Sequence, residues 1–298
     1  MSTAIGLIGV GQIGAHIAKQ LLSAGHMVHA FDIRAEALDA AERLGAEPAA
    51  GVTDLAARCD AILTSVPAAP DVEQVYLGPE GLLAAARQNA LLVDMTTNRV
   101  ELARRLHDLG TERGLSVVDA PVSWGEGGLN IMVGATPEDF ARVEPALRVI
   151  GGKVTHVGPP GCGQAAKLVN QMIMAGTWGI IAEAFVIASK AGADPARVLT
   201  AINTAGAASR LLEGMVARMV EGTHPGGRTL ALHTKDLQYA LELAHEAQAP
   251  APLLALLHEV FRATPLHYEG EASQTAIARF WEVLAQHAVS GHDPGGSS

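Results

Sequence analysis

The sequence contains few aromatic residues and fewer basic than acidic residues. Aromatic residues make up 4% of the 298 positions, whereas hydrophobic residues make up 49%, so a folded core must be mainly aliphatic. The chain carries 21 Lys and Arg against 31 Asp and Glu, which gives a formal net charge of −10. Because proteins bind nucleic-acid phosphates through clustered Lys and Arg, we expect no nucleic-acid partner.

Cysteine is also scarce, and histidine follows no metal-ligand pattern. Cys59 and Cys162 each lack a CxxC partner, which argues against a disulfide scaffold or a structural zinc site. The 12 histidines are scattered without ligand spacing, so we expect no metal. The N-terminal stretch MSTAIGLIGVGQIG has no basic segment of the signal-peptide type. Together with the cysteine usage, this favours a cytoplasmic protein.

One apolar stretch, Leu168–Ser189, raises the question of a membrane span. It contains Asn170, Gln171 and Glu183 and follows Lys167, and a bilayer tolerates such polar side chains poorly. We therefore interpret it as a long buried helix of a soluble protein and expect no membrane partner.

Two hydrophobic patterns divide the chain. Up to residue 162, short aliphatic runs alternate with amphipathic helical stretches such as Gln12–Ala24, Ala35–Leu44 and Val100–Arg113. This alternation predicts βαβ units and an α/β domain of the Rossmann type, with a doubly wound parallel sheet. The predicted strands are Ile5–Val10, Val28–Phe31, Ala61–Val66, Ala90–Asp94, Leu115–Asp119, Ile131–Val133 and Val154–Val157.

The second pattern, over residues 163–287, is helical throughout and predicts an all-helical domain. The Gly-Pro-Pro-Gly segment at residues 158–161 marks the boundary, and we expect residues 288–298 to form a disordered tail. The predicted helices are Ala165–Ala191, Pro195–Ala205, Leu211–Val220, Leu237–Gln248, Pro252–Arg262 and Ser273–Gln286.

A glycine-rich motif follows the first predicted strand and opens the first predicted helix. It reads Gly9-Val10-Gly11-Gln12-Ile13-Gly14, the GxGxxG spacing of dinucleotide-binding proteins. In that motif the glycines allow a tight turn, a close approach to a pyrophosphate and close helix–strand packing, and the helix N-terminus offers N–H groups to the anion. A GxGxxG motif alone is weak evidence, because a glycine-rich turn without a ligand has the same sequence.

The second predicted strand ends at an acidic residue, in Asp32-Ile33-Arg34. A carboxylate at this offset accepts hydrogen bonds from the adenine ribose and repels a 2′-phosphate, so Asp32 predicts NAD in preference to NADP. Arg34 leaves some binding of NADP possible. Asp32 is also a suitable N-cap for the next helix, and the two roles are compatible.

Four blocks of sequence resemble the β-hydroxyacid dehydrogenases, the family that contains 3-hydroxyisobutyrate dehydrogenase and tartronate semialdehyde reductase. The resemblance extends to about residue 285. It implies a Rossmann domain, a long interdomain helix, a helical domain that forms a homodimer or homotetramer, and an active site in the cleft. The blocks are GLIGVGQIG at 6–14, DAPVS at 119–123, GCGQAAKLVN at 161–170 and KDL at 235–237.

The third block identifies Lys167 as the candidate catalytic residue. Lys167, Asn170 and Gln171 fall at i, i+3 and i+4 on one face of a helix. When a hydride leaves an alcohol carbon, the hydroxyl must lose its proton, and a lysine acts as that acid or base and stabilises the oxyanion. Asn170 is implied as a substrate contact by the resemblance. Taken alone, a lysine at the start of an apolar helix is equally an ordinary solvated residue.

The chain departs from the family at three positions of the implied substrate site. Gln171 stands where the family has a second Asn, so its carboxamide reaches further. The implied carboxylate-binding segment reads Ser123-Trp124-Gly125 instead of Ser-Gly-Gly, and Trp124 either lines the pocket or packs away from it. Arg228 replaces a Phe that relatives often have; it either meets an acidic group of the substrate or is a solvated loop residue.

Further cofactor contacts are implied by position in the family. They are Val66 and Pro67 after a central strand, Thr96 with its neighbour Thr97 after the next strand, and Lys235 of the KDL block. Ser, Thr and Pro also favour strand-to-helix turns in general, so the first four residues have an alternative structural explanation. Asp236 either caps a helix or pairs with Lys235.

These observations predict an NAD-dependent oxidoreductase, with NADP possible, acting on a small anionic β-hydroxyacid or its semialdehyde. The first alternative is an imine reductase or reductive aminase of similar architecture; such relatives usually lack the helix lysine, but Trp124 and Gln171 keep this possibility open. The second alternative is a non-catalytic nucleotide-binding protein. The related 6-phosphogluconate dehydrogenases read KxxHNxxE at the position of Lys167. This chain lacks that His and has Met174 in place of the Glu, so we do not expect 6-phosphogluconate to be its substrate.

Overall fold

The computed structural model describes residues 4–224, 229–267 and 273–290. The chain divides into two compact units, Met1–Lys167 and Leu168–Ser298. The division falls inside a long helix, α8 (Cys162–Lys190), five residues after the boundary that the sequence suggests. The start of α8 groups with the first unit because Asp119, at the end of a strand, accepts hydrogen bonds from the amides of Gly161 and Gln164.

The described part of the first unit contains one sheet of nine strands in the order β3-β2-β1-β4-β5-β6-β8-β7, with β9 paired to β8. Neighbouring strands from β3 to β6 are parallel, whereas β8 runs antiparallel to both β6 and β7. The predicted Rossmann-type fold is therefore confirmed. The strands are β1 (Ala4–Ile8), β2 (Met27–Phe31), β3 (Glu47–Pro48), β4 (Ala61–Thr64), β5 (Leu91–Asp94), β6 (Ser116–Asp119), β7 (Val122–Gly125), β8 (Gly128–Gly134) and β9 (Lys153–Gly158).

The central strands are continuous aliphatic runs because both faces of the parallel sheet are covered. Ile5, Leu7, Ile62 and Leu92 are almost completely buried. The connecting helices contribute apolar faces, such as Ile17, Ala18 and Leu21 of the first helix, which have no exposed surface. These helices are α1 (Gln12–Ser23), α2 (Ala35–Arg43), α3 (Val52–Arg58), α4 (Ala69–Leu77), α5 (Leu82–Ala85), α6 (Val100–Thr111) and α7 (Pro137–Ile150).

The register of the parallel strands aligns their carboxyl ends. Ile8 of β1 lies opposite Phe31 of β2 and Thr64 of β4, and Asp94 of β5 lies opposite Asp119 of β6. Ligands of open α/β sheets bind outside this edge, so the alignment brings the residues that follow each strand to the functional side of the domain.

The segment Ser123–Gly125 is part of a strand, although none of the predicted strands includes it. It belongs to β7, which forms a hairpin with β8, and Ser123 and Trp124 lie opposite Asn130 and Leu129. Gly127 in the connecting turn and Gly128 at the start of β8 have φ values of +83° and +123°, a backbone region that favours glycine. We refer to Ser123–Gly125 below as the substrate strand.

The described part of the second unit is helical, and the helices predicted from Pro195, Leu211 and Pro252 begin within one residue of those positions. Asp194, Ser209 and Thr229 cap three of them by accepting hydrogen bonds from backbone amides. Because Thr229 supplies a cap, α11 begins at Leu230, seven residues before the predicted Leu237. The helices after α8 are α9 (Pro195–Ile202), α10 (Arg210–Glu221), α11 (Leu230–Glu246), α12 (Pro252–Ala263) and α13 (Ile277–Ala285), with 3-10 turns at Thr264–His267 and Gln274–Ala276.

Residues 288–290, expected to begin a disordered tail, are described, and Ala288 and Val289 are buried. The Val289 amide donates a 3.0 Å hydrogen bond to Oε1 of Glu282, a carboxylate on α13 that is itself buried. This contact holds residues 288–290 against α13, whereas the sequence places the start of the tail at residue 288. Residues 291–298 lie outside the described part of the chain.

Helix α8 is, among the described residues, the one helix long and apolar enough to cross a membrane by length and composition. Buried residues account for 39% of its most apolar window. Its other surface carries Val169, Ile173, Ile180 and Ile187, which are 49–63% exposed and lie along one side of the helix.

Candidate active site

The glycine motif forms a turn that other residues would obstruct. Gly9 has φ +83°, and a Cβ there would lie 2.2 Å from the Ser65 carbonyl oxygen. A Cβ on Gly14 would lie 2.0 Å from the carbonyl oxygen of Gly9, so both positions require glycine. Gly11 is the N-cap of α1, and no side chain caps the helix there. The first-turn amides of α1 therefore offer an anion site that suits a dinucleotide pyrophosphate.

Asp32 links the end of β2 to this turn. Its Oδ2 accepts a 2.9 Å hydrogen bond from the Val10 amide, and its Oδ1 accepts one of 2.9 Å from the Arg34 amide. The Arg34 guanidinium forms an ion pair with Asp32 at 3.3 Å. Although burial opposes it, hydrogen bonds from Arg34 and Val10 lower the pKa of Asp32, so the carboxylate is charged. Ile33 between them is 91% exposed.

The ends of β4 and β5 are joined by a buried polar network. Thr96 Oγ1 accepts a 3.1 Å hydrogen bond from the Val66 amide, and the Thr96 amide donates to Asp94 Oδ1 at 3.0 Å. Asn98 donates from Nδ2 to Asp94 Oδ2 at 3.1 Å. Thr96 is 3% exposed, and its hydroxyl holds the backbone of Val66 in place. Val66 is half-buried and Pro67 is exposed.

Gln164 connects the same network to the start of α8. Its Oε1 accepts a 2.8 Å hydrogen bond from the Asn98 amide, and its Nε2 donates to the Thr96 carbonyl oxygen at 2.8 Å. Asp119 accepts from the amides of Gly161 at 2.7 Å and Gln164 at 2.8 Å. Two strand ends therefore hold the first turn of α8, one turn before Lys167.

The two buried aspartates of this region, Asp94 and Asp119, have raised pKa values of about 6. Burial is the main cause in both, and the charge of Asp119 contributes further to the pKa of Asp94. A carboxyl group whose folded-state pKa is raised stabilises the fold below its unfolded pKa, near 4, and this stabilisation is lost as the pH rises through about 6.

Replacing Asp119 by Asn is expected to destabilise the protein by about 1–3 kcal/mol at pH 5, since one backbone amide at the start of α8 loses its acceptor. The difference in the free energy of unfolding between wild type and the variant should become smaller as the pH is raised from about 5 to about 7. Over this range the wild-type protein loses the stabilisation that the raised pKa of Asp119 provides. Urea unfolding at both pH values measures it, with the exposed Asp39→Asn as control. A difference that widens with pH would show that Asp119 is not the group responsible.

The substrate strand contacts the helix that follows the glycine motif. Ser123 and Gly125 lie on one side of β7, and the Trp124 indole emerges on the other, towards α1. There it meets His16 edge to face, with ring centroids 4.9 Å apart and an angle of 72° between the rings. Trp124 is still 56% exposed. The indole thus flanks the Ser123–Gly125 segment, and much of its surface is accessible to a ligand.

Lys167 lies within the second turn of α8 and is 3% exposed. Asn170 follows on the same side of the helix and is half-buried. The Asn170 Nδ2 donates to Gln171 Oε1 at 3.1 Å and contacts Met174 Sδ at 3.2 Å. A buried amine one turn before a side-chain amide can exchange a proton with an oxygen that the amide helps to orient.

Gln171 is engaged inside the second unit. It is 2% exposed, and its Nε2 donates to Asp236 Oδ2 at 2.7 Å and lies 3.4 Å from His233 Nδ1. His233 Nε2 lies 3.2 Å from the Gln171 carbonyl oxygen, and its ring is stacked on Phe261 at 5.0 Å. These contacts hold Gln171 between α8 and α11, and its implied contact with the substrate stays a prediction.

Lys235 and Asp236 lie within α11 and form an ion pair at 3.2 Å. The pair confirms one of the two roles considered for Asp236 and excludes the cap, because α11 begins six residues earlier at Leu230. Lys235 Nζ also lies 5.0 Å from the centre of the Tyr239 ring. Arg228, the third departure of the sequence, lies outside the described residues.

Sequence reasoning missed most of the polar groups that hold the site. Asp94, Asn98 and Gln164 carry no motif of their own, although Gln164 lies within the GCGQAAKLVN block. The available signal was an acidic residue at the end of an otherwise aliphatic strand, which Asp94 and Asp119 share. Among the described residues, no group of three His, Cys, Asp or Glu side chains is arranged to hold a metal.

Two family models together match nearly the whole chain. Residues 4–158 match the NAD binding domain of 6-phosphogluconate dehydrogenase. Residues 161–281 match the NAD-binding domain of NADP-dependent 3-hydroxyisobutyrate dehydrogenase. The glycine motif and Asp32 lie in the first match, and Lys167 and Lys235 lie in the second.

Individual proteins match over similar lengths. The chain is 34% identical to 2-(hydroxymethyl)glutarate dehydrogenase of Eubacterium barkeri, with 97% of this chain and 98% of the relative covered. It is 35% identical to 2-hydroxy-3-oxopropionate reductase of Escherichia coli, covering 96% and 99%. The solved structure of Mycobacterium tuberculosis 3-hydroxyisobutyrate dehydrogenase with L-serine matches with a TM-score of 0.84 and 30% identity, covering 93% and 98%.

Imine reductases match more distantly. The Myxococcus stipitatus enzyme in complex with NADP+ has a TM-score of 0.62 and 22% identity, covering 93% of this chain and 99% of the other. At that identity the likeness shows a shared fold alone.

Proposed function

The chain belongs to the β-hydroxyacid dehydrogenase family, an NAD(P)-dependent group of oxidoreductases, and from this premise we propose that it oxidises a small β-hydroxyacid, or reduces the matching semialdehyde, with Lys167 as the acid/base. The observation that carries the proposal is the placement of Lys167: a nearly buried amine, one turn after a helix start that two strand ends hold in place.

The cofactor proposal rests on the turn at Gly9–Gly14 and on Asp32. Gly9 and Gly14 admit no side chain, and no side chain caps α1 at Gly11, which suits the binding of an anion by the first amides of the helix. When bound, NAD would accept the hydride that leaves the substrate carbon. Asp32 would hold the adenine ribose, while Ile33, Val66, Pro67, Thr96 and Lys235 are the further proposed cofactor contacts.

We expect kcat/KM with NAD to exceed that with NADP by at least about tenfold, or ~1.4 kcal/mol. The charged Asp32 repels a 2′-phosphate, and the Arg34 guanidinium is already paired with it. Steady-state kinetics with both cofactors test this, and Asp32→Asn should reduce the ratio. As a matched control, Arg34→Ala should leave NAD kinetics nearly unchanged. A wild type that prefers NADP would show that Arg34 outweighs Asp32.

Lys167 would act on the substrate oxygen. In oxidation the neutral amine takes the hydroxyl proton as the carbonyl forms, and in reduction the ammonium returns it. Because the side chain is 3% exposed, water screens its charge little, so the ammonium stabilises a developing oxyanion more strongly than a solvated lysine does.

The substrate carboxylate would bind Ser123 and the amides around Gly125, with Asn170 orienting the reacting end. We assign Gln171 a positioning role: its Oε1 accepts from Asn170 Nδ2, and Asp236 holds its amide from the other side. The negative charge of the substrate and a contact with Arg228 remain parts of this proposal.

The reaction class is tested by cofactor reduction with wild-type enzyme and a panel of acids. We expect NADH formation with β-hydroxyacids such as 3-hydroxypropionate and much slower formation with lactate, an α-hydroxyacid. Cyclic imines with NADH are the comparison for the alternative of an imine reductase, which Lys167 disfavours. Faster turnover of the imines would overturn the proposal, and binding of NAD without turnover of any compound would favour a non-catalytic role.

A homodimer or homotetramer formed through the helical unit is part of the proposal. The exposed stripe Val169, Ile173, Ile180 and Ile187 on α8 supports it, because water contact with aligned aliphatic side chains is unfavourable. Light scattering coupled to gel filtration measures the assembly. We place the enzyme in the cytoplasm, which suits the two free thiols of Cys59 and Cys162.

A further inference from the structure

The contact between His16 and Trp124 joins the two proposed parts of the site that lie in the first unit. His16 belongs to α1, four residues after Gln12 at the helix start, and Trp124 belongs to the substrate strand. Their edge-to-face arrangement at 4.9 Å is the geometry that aromatic pairs favour. The contact thus attaches the indole, which lies on one side of the substrate strand, to α1, the helix that follows the glycine motif.

The two partners differ in how firmly they are held. Helix α1 buries Ile17, Ala18 and Leu21 completely, so His16 projects from a rigid support. Trp124 lies on β7, which ends the strand order of the sheet, and it is 56% exposed. An exposed indole on an edge strand has several rotamers available, and an aromatic contact selects among them. We therefore expect His16 to fix the orientation of Trp124, and not the reverse.

We propose that His16 is a specificity-determining positioning residue: it holds the Trp124 indole against α1 and thereby limits the size of the substrate group that fits against the α1-facing side of the substrate strand. This inference rests on the proposed dehydrogenase function. His16 acts through Trp124 rather than on the reacting atoms. Its removal should therefore change the relative use of small and bulky substrates and leave the proton-transfer step intact.

The test compares kcat/KM for 3-hydroxypropionate and for its 2-benzyl derivative. In His16→Ala the ratio of the small to the bulky substrate should fall about 3–10-fold, which corresponds to the coupling of one aromatic pair. His16→Phe, which restores a ring, should return the ratio towards the wild-type value. Lys19→Ala, an exposed position on the same helix, is the control and should leave the ratio unchanged.

A double-mutant cycle decides whether His16 acts through the indole. In a Trp124→Gly background, His16→Ala should have no further effect on the ratio, and an effect that persists there would overturn the inference. An active wild type whose ratio does not respond to His16→Ala would also overturn it. In contrast, a wild type that forms no NADH with any β-hydroxyacid would overturn the proposed function itself.

Acrylamide quenching of tryptophan fluorescence provides a readout that does not depend on activity. Of the three tryptophans, Trp178 is buried and Trp281 is half-buried, whereas Trp124 is 56% exposed, so a change at the substrate strand should be detectable. His16→Ala should increase the quenching and His16→Phe should not. Equal quenching in wild type and His16→Ala would show that the imidazole does not position the indole.

Discussion

Replacing Lys167 by Ala is expected to lower kcat by about 10²–10⁴-fold, the range for loss of a general acid/base. The reason is local: the substrate hydroxyl loses the group that takes its proton, and the developing oxyanion loses a positive charge in a nearly buried position. NAD affinity should change little, since the glycine motif and Asp32 are unaltered. Steady-state kinetics and equilibrium binding of NAD together measure both parts.

Lys190→Ala is the matched control, because Lys190 is an exposed lysine at the other end of the same helix. It should retain wild-type turnover. A thermal melt excludes unfolding as the cause of lost activity in Lys167→Ala. Turnover in Lys167→Ala equal to that of wild type would mean that Lys167 is not the acid/base.

Replacing Trp124 by Gly is expected to change the kcat/KM ratio between a bulky and a small hydroxyacid by roughly 10–200-fold. The exposed indole covers the α1-facing side of the substrate strand. Its removal opens room there for one or two further methylene groups of a substrate, a difference of ~1–3 kcal/mol. Kinetics with the two substrates used for His16 measure the ratio. NAD affinity should change little.

Thermal stability separates this result from a packing role. If Trp124→Gly mainly lowers the melting temperature and leaves the ratio unchanged, the indole is a structural contact of α1. The determinants of specificity would then have to be sought around Arg228 and the Gln171–Asn170 pair.

The first unit shows how far an aliphatic pattern predicts a fold. Runs such as Leu91–Asp94 are hydrophobic throughout because both faces of a parallel strand are buried, and this signal gave the strands within a few residues. It failed at Val122–Gly125, where pairing depends on a glycine turn at Gly127 and Gly128 and not on hydrophobicity. A short segment with Ser, Trp and Gly has no period of its own to indicate a strand.

The proposed site could be predicted from the sequence where its chemistry depends on one residue type. It could not be predicted where it depends on contacts between residues distant in sequence. The glycine motif and Lys167 stand out in the sequence because few other residues suit a tight anion-binding turn or a proton transfer. Gln171 shares a helix face with Lys167 and stands where the family has a second Asn, and these two facts suggested a substrate contact. Its partners His233 and Asp236 lie 62 and 65 residues further along the chain, and a local pattern carries no information about them.

The most direct test of the central claim follows the hydrogen atom that leaves the substrate. Wild-type enzyme is given NAD and 3-hydroxypropionate with deuterium on the hydroxyl-bearing carbon, and the reduced cofactor is analysed by mass spectrometry. The account predicts deuterated NADH, formed about 10²–10⁴-fold more slowly by Lys167→Ala. Absence of NADH, or NADH without deuterium, would contradict direct oxidation of a β-hydroxyacid by this protein.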